Sequence, residues 1–281
     1  MNKRLKTWAL VLPATLFLLA FFVYPLVDGL QSSLRPDTHA YSLGNYIEFF
    51  SRPYLRDTIF TTFKLAIPAT LLSLLLALPC AYFMRNPSSW QKWTTIVFLL
   101  PITLGPVLVA DGMLTYFSNI GWFWQIADAL GLHSHIALIH SFAGVLISLV
   151  IAGFPFAFLF LLSFVSGIDP NLSRAAATLG ASPWRQFRHI YLPLLIPGLR
   201  TTAILIFVQS FAVFPSALLL GLPSGATRVM SIAASHAAFE DYNYSMGNAI
   251  SILMGVIQFA AVGLLLLMTS KAFRGSSAGF K

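Results

Sequence analysis

The sequence has few charged residues and a single cysteine. Only 9% of its 281 residues are charged, against about 25% in ordinary soluble domains. Nine acids and seventeen bases are too few to cover a water-soluble fold in which 57% of the residues are hydrophobic. One cysteine, Cys80, cannot form a disulfide framework within the chain. Because it lies inside an apolar run, a reactive thiolate is also disfavoured. The composition therefore indicates an integral membrane protein.

Motifs for nucleotide, metal and catalytic chemistry are also missing. The chain has no Gly-x-x-x-x-Gly-Lys-Ser/Thr phosphate loop, so any ATP chemistry must come from a partner. His133 and His135 are two residues apart, with His140 nearby, and this spacing matches neither a helical His-x-x-x-His site nor a zinc set with cysteines. No polar cluster suited to catalysis lies within the apolar runs. We expect a chain that is not an enzyme and that holds no metal or cofactor.

Six apolar stretches are long enough to cross a bilayer, whose hydrocarbon core requires about 20 residues of helix. Lipid leaves backbone groups without partners, so such spans are helical. The first is too long for a cleaved signal peptide, and we expect it to be retained. The sequence thus predicts an all-α integral membrane protein: a single transmembrane domain over 1–281, with a core five-helix unit over 58–270. The predicted spans are 8–30, 58–84, 93–117, 140–166, 194–220 and 244–270.

The distribution of basic residues orients these spans. With the N-terminus inside, the inner segments carry eleven bases and one acid, Asp169, whereas seven acids fall in outer segments. This asymmetry predicts both termini in the cytoplasm. Bases spread over short loops do not form a groove-binding face, so the net charge of +8 does not indicate a nucleic-acid partner. The inner bases are Lys3, Arg4, Lys6, Arg85, Lys92, Arg174, Arg185, Arg188, Lys271, Arg274 and Lys281.

The inner loop between the fourth and fifth spans, 169–193, contains helix start and stop signals. Asp169 is a natural N-cap followed by a proline at the first helical position. Gly180 suits the left-handed position that ends a helix. Ser182 then caps a second start, and Trp184 begins an apolar stripe at helical spacing. The predicted structure is helix, tight turn, helix, and its small residues favour docking in a groove of another protein.

This loop resembles the EAA loop of ABC importer permeases, whose pattern is Glu-Ala-Ala, three residues, Gly, nine residues, Ile, one residue, Leu-Pro. Arg174 stands where the family usually has glutamate. Six spans with this loop between the fourth and fifth also resemble a type I permease of the MetI-like fold. The matching residues are Ala175, Ala176, Gly180, Ile190, Leu192 and Pro193, and Ala181, Trp184 and Phe187 are similar to common family choices.

The resemblance implies a coupling helix that docks on a separate ATP-binding subunit. Ala175, Ala176 and Gly180 would permit close docking, while Trp184 and Phe187 would pack the second helix against the first or against the membrane base. Arg174 would need an acidic partner or would point to water, and we expect coupling to depend on shape and apolar packing. The implied partners are an ATPase dimer that holds ATP and Mg²⁺, a second permease subunit, a periplasmic solute-binding protein and the lipid of a bacterial inner membrane.

Three further segments resemble the polyamine/opine/phosphonate branch, in which spermidine/putrescine permeases lie: Tyr24-Pro25-Leu26, Leu43 to Tyr46, and Asp241 to Gly247. They lead us to expect a small polar solute such as a polyamine. Asp111 is the carboxylate placed well within a span, and it is interpreted either as a contact for a cationic solute or as a helix-packing or water-exposed acid near the interface. Four further polar residues are interpreted as lining the path or as bonding across helices: Gln209, Ser210, Asn248 and Ser251.

An ion-coupled secondary transporter is the alternative function. Such a protein needs its own coupling site, often midplane carboxylates or broken helices in inverted repeats. The sequence has one off-centre aspartate and no visible internal repeat, so the ATP-driven importer is preferred.

Overall fold

The computed structural model describes residues 3–35, 41–86, 88–118, 120–131 and 137–274. Over these ranges the chain forms α-helices joined by short loops and contains no strand, which confirms the all-α prediction. The helices are α1 (Lys3–Leu18), α2 (Tyr24–Ser33), α3 (Gly44–Ser51), α4 (Pro53–Phe83), α5 (Ser89–Tyr116), α6 (Trp122–Ala129), α7 (Phe142–Ser166), α8 (Pro170–Thr178), α9 (Pro183–Gln186), α10 (Leu192–Phe211), α11 (Pro215–Leu220), α12 (Met230–Phe239) and α13 (Tyr244–Arg274).

Six helical segments are long and apolar enough to cross a membrane, as predicted. They are Val11–Ser33, Pro53–Phe83, Ser89–Tyr116, Phe142–Ser166, Pro183–Phe211 and Tyr244–Leu267. The predicted fifth span, 194–220, was wrong at both ends. Its helix is continuous from Pro183 and stops at Phe211, and α11 is a separate helix. The break has a local cause, because the residue before a proline is disfavoured in the α region, and Phe214 (φ −131°, ψ −60°) precedes Pro215.

Two short π-helical turns, Leu19–Val23 and Phe187–Tyr191, each end two residues before a proline. The prolines are Pro25 and Pro193. A proline lacks the amide hydrogen and crowds the carbonyl one turn back, so the helix widens there to i→i−5 bonding. In the second case the Leu192 amide donates to the Phe187 carbonyl. This wider turn joins α9 to α10.

The third span is broken in its middle. Gly105 has φ +73° and ψ 161°, a conformation open to glycine, and Pro106 follows it. Ser88 caps the start of the helix by accepting a hydrogen bond from the Gln91 amide. Span three is therefore two shorter helical pieces, 89–104 and 106–116.

The chain divides into two compact units. One contains Met1–Ile59 and Met230–Ile257, and the other contains Phe60–Val229 and Gln258–Lys281. The core of the larger unit includes Phe158 and Leu161 of α7, packed with Leu195 of α10 and other apolar side chains.

Glycine permits close helix packing within the larger unit. A Cβ built on Gly198 of α10 would lie 2.5 Å from Cγ of Phe164 in α7. A Cβ on Gly153 of α7 would lie 2.9 Å from Oγ of Ser73. Span four therefore packs closely against span five at Gly198 and against span two at Gly153, where a larger residue would require its neighbours to shift.

Candidate coupling site

The hairpin α8–α9, residues 169–191, begins with the predicted cap. Oδ1 of Asp169 accepts a hydrogen bond from the Asn171 amide at 2.9 Å, and Pro170 occupies the first turn. None of the α8 side chains is buried within the chain. A nine-residue helix with no buried face gains little from its own packing, so its order depends on the caps and on the second helix.

The turn between the two helices is a Schellman motif. Gly180 has φ +79°, and its amide donates to the Ala177 carbonyl at 3.0 Å. The Ala181 amide donates to the Ala176 carbonyl, also at 3.0 Å. This pair of bonds satisfies carbonyls that the end of α8 would otherwise leave open. The prediction of a left-handed C-cap at Gly180 is confirmed.

Gln186 fastens the two short helices together. Its side chain is 9% exposed; Nε2 donates to the Ala181 carbonyl at 2.9 Å, and Oε1 accepts from Oγ of Ser173 at 2.7 Å. Ser182 caps α9 as predicted, by accepting a bond from the Arg185 amide. Sequence reasoning missed Gln186 and Ser173, and no local signal marks them, because their bond forms across the turn between the two helices.

Aromatic rings attach the hairpin to the second span. The Phe187 ring meets the Tyr82 ring of α4 at a centroid distance of 4.8 Å and an interplanar angle of 65°. Trp184 stacks on Phe187 at 5.6 Å. Of the two predicted packing partners for Phe187, the structure thus places the membrane helix α4 against it. A small apolar cavity of about 190 Å³ lies at this junction, lined by Pro79, Tyr82, Phe83, Pro183, Trp184 and Phe187.

Arg85, which follows the end of α4, strengthens the same junction. Its Nη1 donates to the Tyr82 carbonyl at 2.7 Å. Its guanidinium carbon lies 4.2 Å from the Tyr82 ring centroid and 5.1 Å from that of Tyr191. Tyr191 is buried and contacts Tyr82 edge-on at 5.1 Å. The Arg85 guanidinium therefore contacts both the end of span two, at Tyr82, and the start of span five, at Tyr191.

The outward surface of the hairpin carries several exposed apolar side chains. Leu179 is 88% exposed at the tip, and Leu172 and Trp184 are 46% and 66% exposed. Ala175 is also exposed, whereas Ala176 and Ala181 are partly buried at the turn. Nothing lies within 4 Å of a Cβ built on Gly180. The hairpin thus presents a small-residue surface with a leucine at its tip.

Arg174 lies on the exposed side of α8. Its Nη1 donates to Oδ1 of Asn171, one turn earlier, at 3.3 Å. It forms no ion pair with any acid in the part of the chain that the structure describes. The charge at this position is directed to solvent.

The predicted path residues fall in different environments. In the larger unit, Asp111 and Gln209 are exposed, whereas Ser210 is buried at 2% exposure. In the smaller unit, Asn248 is partly buried, and Oγ of Ser251 donates back to the Gly247 carbonyl. Gln258, a further polar residue of the last span, donates to the Val208 carbonyl of α10 at 3.0 Å and so bonds across helices.

Two of the segments that resembled the polyamine branch pack against each other in the smaller unit. Nδ2 of Asn45 donates to Oγ of Ser245 at 2.6 Å and to the Ser33 carbonyl at 2.9 Å. Oγ of Ser245 in turn donates to the Ser32 carbonyl. These residues join α2, α3 and α13, so their pattern has a packing explanation that is independent of any solute.

The histidines within the described residues have separate partners. His133 and His135 lie outside the described residues. Nδ1 of His140 lies 3.1 Å from the Gly221 carbonyl oxygen. Nε2 of His236 lies 3.1 Å from a carboxylate oxygen of Glu240. In the described ranges, no three His, Cys, Asp or Glu residues form a group able to hold a metal ion.

Comparison with known proteins identifies related chains. The family model of the binding-protein-dependent transport system inner membrane component matches residues 58–273. The trehalose transport system permease protein SugA of Mycobacterium tuberculosis is 24% identical, covering 99% of this chain and 92% of its own length. The putative 2-aminoethylphosphonate transport system permease protein PhnV of Salmonella typhimurium is 26% identical, covering 91% of this chain and 90% of its own length.

The fold is also found in a solved transporter. A chain of the bacterial alginate ABC transporter, solved in complex with alginate pentasaccharide-bound periplasmic protein, superposes with a TM-score of 0.82 at 18% identity. The match covers 95% of this chain and 94% of that chain.

Proposed function

Because the chain belongs to the family of inner-membrane components of binding-protein-dependent transport systems, we propose that the hairpin α8–α9 couples it to a separate ATPase. The chain is a multi-pass inner-membrane protein and a permease subunit of an ABC importer. The observation that carries the coupling role is the tip of the hairpin, where Leu179 is 88% exposed on a rigidly fastened turn.

The hairpin is suited to transmit force. Its second helix is continuous with span five, from Pro183 to Phe211, so a displacement of α9 moves α10 directly. The Phe187–Tyr82 contact passes the same displacement to span two. Alternating access then requires only that ATP binding favours one of the two orientations of these spans. ATP and Mg²⁺ are held by the ATPase, since this sequence has no phosphate loop.

The complex we propose contains two permease subunits, an ATPase dimer and a periplasmic solute-binding protein. This chain is one of the two permease subunits and forms half of the solute path. A periplasmic protein is part of the alginate complex whose permease fold is similar. The excess of bases in alternate loops supports a cytoplasmic hairpin and cytoplasmic termini.

The solute we propose is small and polar. Named relatives transport trehalose and, in a putative assignment, 2-aminoethylphosphonate. A polyamine remains a prediction, and the Asn45–Ser245 contact weakens the sequence argument for it. Asp111 offers an exposed carboxylate in the outer half of α5. If the solute is a cation, Asp111→Asn lowers its uptake, whereas uptake of a neutral or anionic solute stays unchanged.

An ion-gradient mechanism is the competing proposal, and membership of the importer family weighs against it. Uptake in proteoliposomes separates the two. Transport that requires the ATPase and hydrolysable ATP supports the importer. Transport by this chain alone under an ion gradient would establish the secondary transporter instead.

Co-purification tests the coupling role. Leu179→Asp places a charge where a leucine would be buried on docking, at a cost of about 2 kcal/mol or roughly thirtyfold in affinity. The matched control is Phe239→Asp, the same kind of change at a residue that is 70% exposed at the end of α12. We expect the first variant to lose the ATPase during purification and the second to retain it. Retention of the ATPase by both variants would place its docking surface elsewhere.

A further inference from the structure

We propose that Arg200 and an apolar groove between α4, α10 and α13 form a binding site for an anionic phospholipid. Arg200 is the one charged residue of α10, about 12 Å along the helix from Leu192 at 1.5 Å per residue. The positive-inside count above did not include it, because it falls within a span rather than a loop. An ionisable residue within a span is costly and therefore indicates a function.

The position of Arg200 places it near a membrane surface. Its Nη2 donates to the carbonyl of Leu266 at 3.1 Å, and Leu266 lies five residues before Lys271, the first base after the apolar run of the last span. The same end of α10 carries the hairpin α8–α9. An arginine at this level extends its charged group to the lipid headgroups while its stem remains in the apolar layer.

The guanidinium has donors to spare. The bond to Leu266 uses one of its five N–H groups. No acid in the described ranges pairs with Arg200, whose side chain is partly exposed. The planar guanidinium can donate two parallel hydrogen bonds, and two oxygens of one phosphate accept such a pair well.

A groove of about 290 Å³ begins beside this charge. Its lining on α10 starts at Ala203, three residues from Arg200 and hence on the same face of the helix. Its lining on α13 includes Leu265, the neighbour of Leu266. The guanidinium therefore lies at the mouth of the groove.

The groove has the length of an acyl chain. Its wall on α4 runs from Phe63 to Leu74, about 16 Å at 1.5 Å per residue. This is about half of the ~30 Å hydrocarbon core. Leu71 and Ile67 are exposed along this wall. An acyl chain in the groove and a phosphate on Arg200 satisfy both parts of the site with one molecule.

The charge of the site favours an anionic headgroup. Phosphatidylglycerol presents its phosphate without a cation, whereas the ammonium of phosphatidylethanolamine or the choline of phosphatidylcholine would be repelled by the guanidinium. In the orientation proposed above, this lipid belongs to the cytoplasmic leaflet. The lipid site itself does not depend on the coupling role of the hairpin.

Lipid counting on the intact importer tests the proposal. The purified complex is placed in nanodiscs of mixed phosphatidylglycerol and phosphatidylcholine, and the lipids retained after mild detergent transfer are counted by native mass spectrometry. We expect Arg200→Gln to lower the preference for phosphatidylglycerol about fivefold, the effect of one base near an anionic headgroup. Lys92→Gln, which removes an exposed base at the start of α5, should leave the preference unchanged.

A second variant fills the groove and leaves the arginine in place. Ala203→Phe should abolish the preference while the complex stays assembled. The proposal is overturned if both Arg200→Gln and Ala203→Phe retain phosphatidylglycerol as the parent does. It is equally overturned if either variant separates the permease subunits with lipid retention unchanged, because the groove would then hold protein. If Arg200→Gln does not assemble, the Ala203→Phe result decides.

Discussion

The Phe187 ring packs edge-on against the Tyr82 ring, with their centroids 4.8 Å apart. Phe187 belongs to the turn that leads into span five, and Tyr82 belongs to the last turn of span two. The contact joins the exposed hairpin to span two, and the chain itself continues from Phe187 into span five. In our account it is the joint through which movement of the ATPase reaches the solute path.

Phe187→Ala removes this contact. An aromatic pair contributes about 0.5–1.5 kcal/mol beyond area burial, so the hairpin should remain folded by its caps but be held less firmly to span two, through Tyr191 and Arg85. We expect ATP hydrolysis by the assembled complex to continue while the solute imported per ATP falls. Phe187→Tyr keeps the ring and is the control. If the alanine variant imports as much solute per ATP hydrolysed as the parent does, the ring does not have this role.

Gly180→Ala tests the turn. Its φ of +79° disfavours any residue with a Cβ, at about 1 kcal/mol, although open space surrounds the position. We expect α8 to lose its end geometry and the ATPase to bind more weakly. Gly180→Asn should be milder, since asparagine tolerates this conformation. The measurement is ATPase affinity for the two variants, and an alanine variant that binds as well as the parent contradicts the prediction.

Gly198→Ala tests the close packing of spans four and five. The new Cβ would lie 2.5 Å from the Phe164 ring carbon, so the ring must shift or the helices separate. We expect the free energy of unfolding to fall by about 1–3 kcal/mol, the usual cost of overpacking. The measurement is the midpoint of thermal unfolding in detergent, which should be lower.

Two variants control for the Gly198→Ala effect. Gly255→Ala is the matched change in α13, where nothing lies within 4 Å of a new Cβ, and it should be neutral or slightly stabilising. Phe164→Ala combined with Gly198→Ala should recover much of the loss if the clash causes it. A Gly198→Ala midpoint equal to that of Gly255→Ala would mean that the helices adjust freely.

Arg174→Glu restores the residue that the permease family usually has. Within the described residues, the Arg174 side chain bonds to Asn171 on its own helix and otherwise faces solvent. Because exposed ion pairs contribute about 0–1 kcal/mol, we expect affinity for the ATPase to change by less than about fivefold. Arg188→Glu is a control for charge alone. Loss of the complex in Arg174→Glu but not in Arg188→Glu would reveal a specific acidic partner on the ATPase.

Local signals predicted the hairpin well. Asp169, Gly180 and Ser182 each act through their own or neighbouring backbone groups, and each was found in its predicted role. The helical class of the spans was also predictable, because it follows from composition and length. The C-terminal end of span five was not predicted, although Pro215 is the residue that disfavours a continuous helix there.

Contacts between distant segments were not predictable. Gln186 reads in the sequence as an ordinary polar residue, and its role depends on Ser173 and Ala181 lying on the other side of a turn. Arg85 was interpreted as one inner base among many, but the structure places it over two tyrosine rings. No periodicity encodes such contacts, since they depend on which spans become neighbours.

Site-specific photo-crosslinking from position 179 tests the central claim most directly. A photoreactive amino acid replaces Leu179 in the intact importer, and the same residue replaces Phe239 as the control. We predict a crosslink from position 179 to the ATP-binding subunit, with a yield that changes when ATP binds, and none from position 239. An intact, transporting complex that gives no such crosslink from position 179 would contradict our account of coupling.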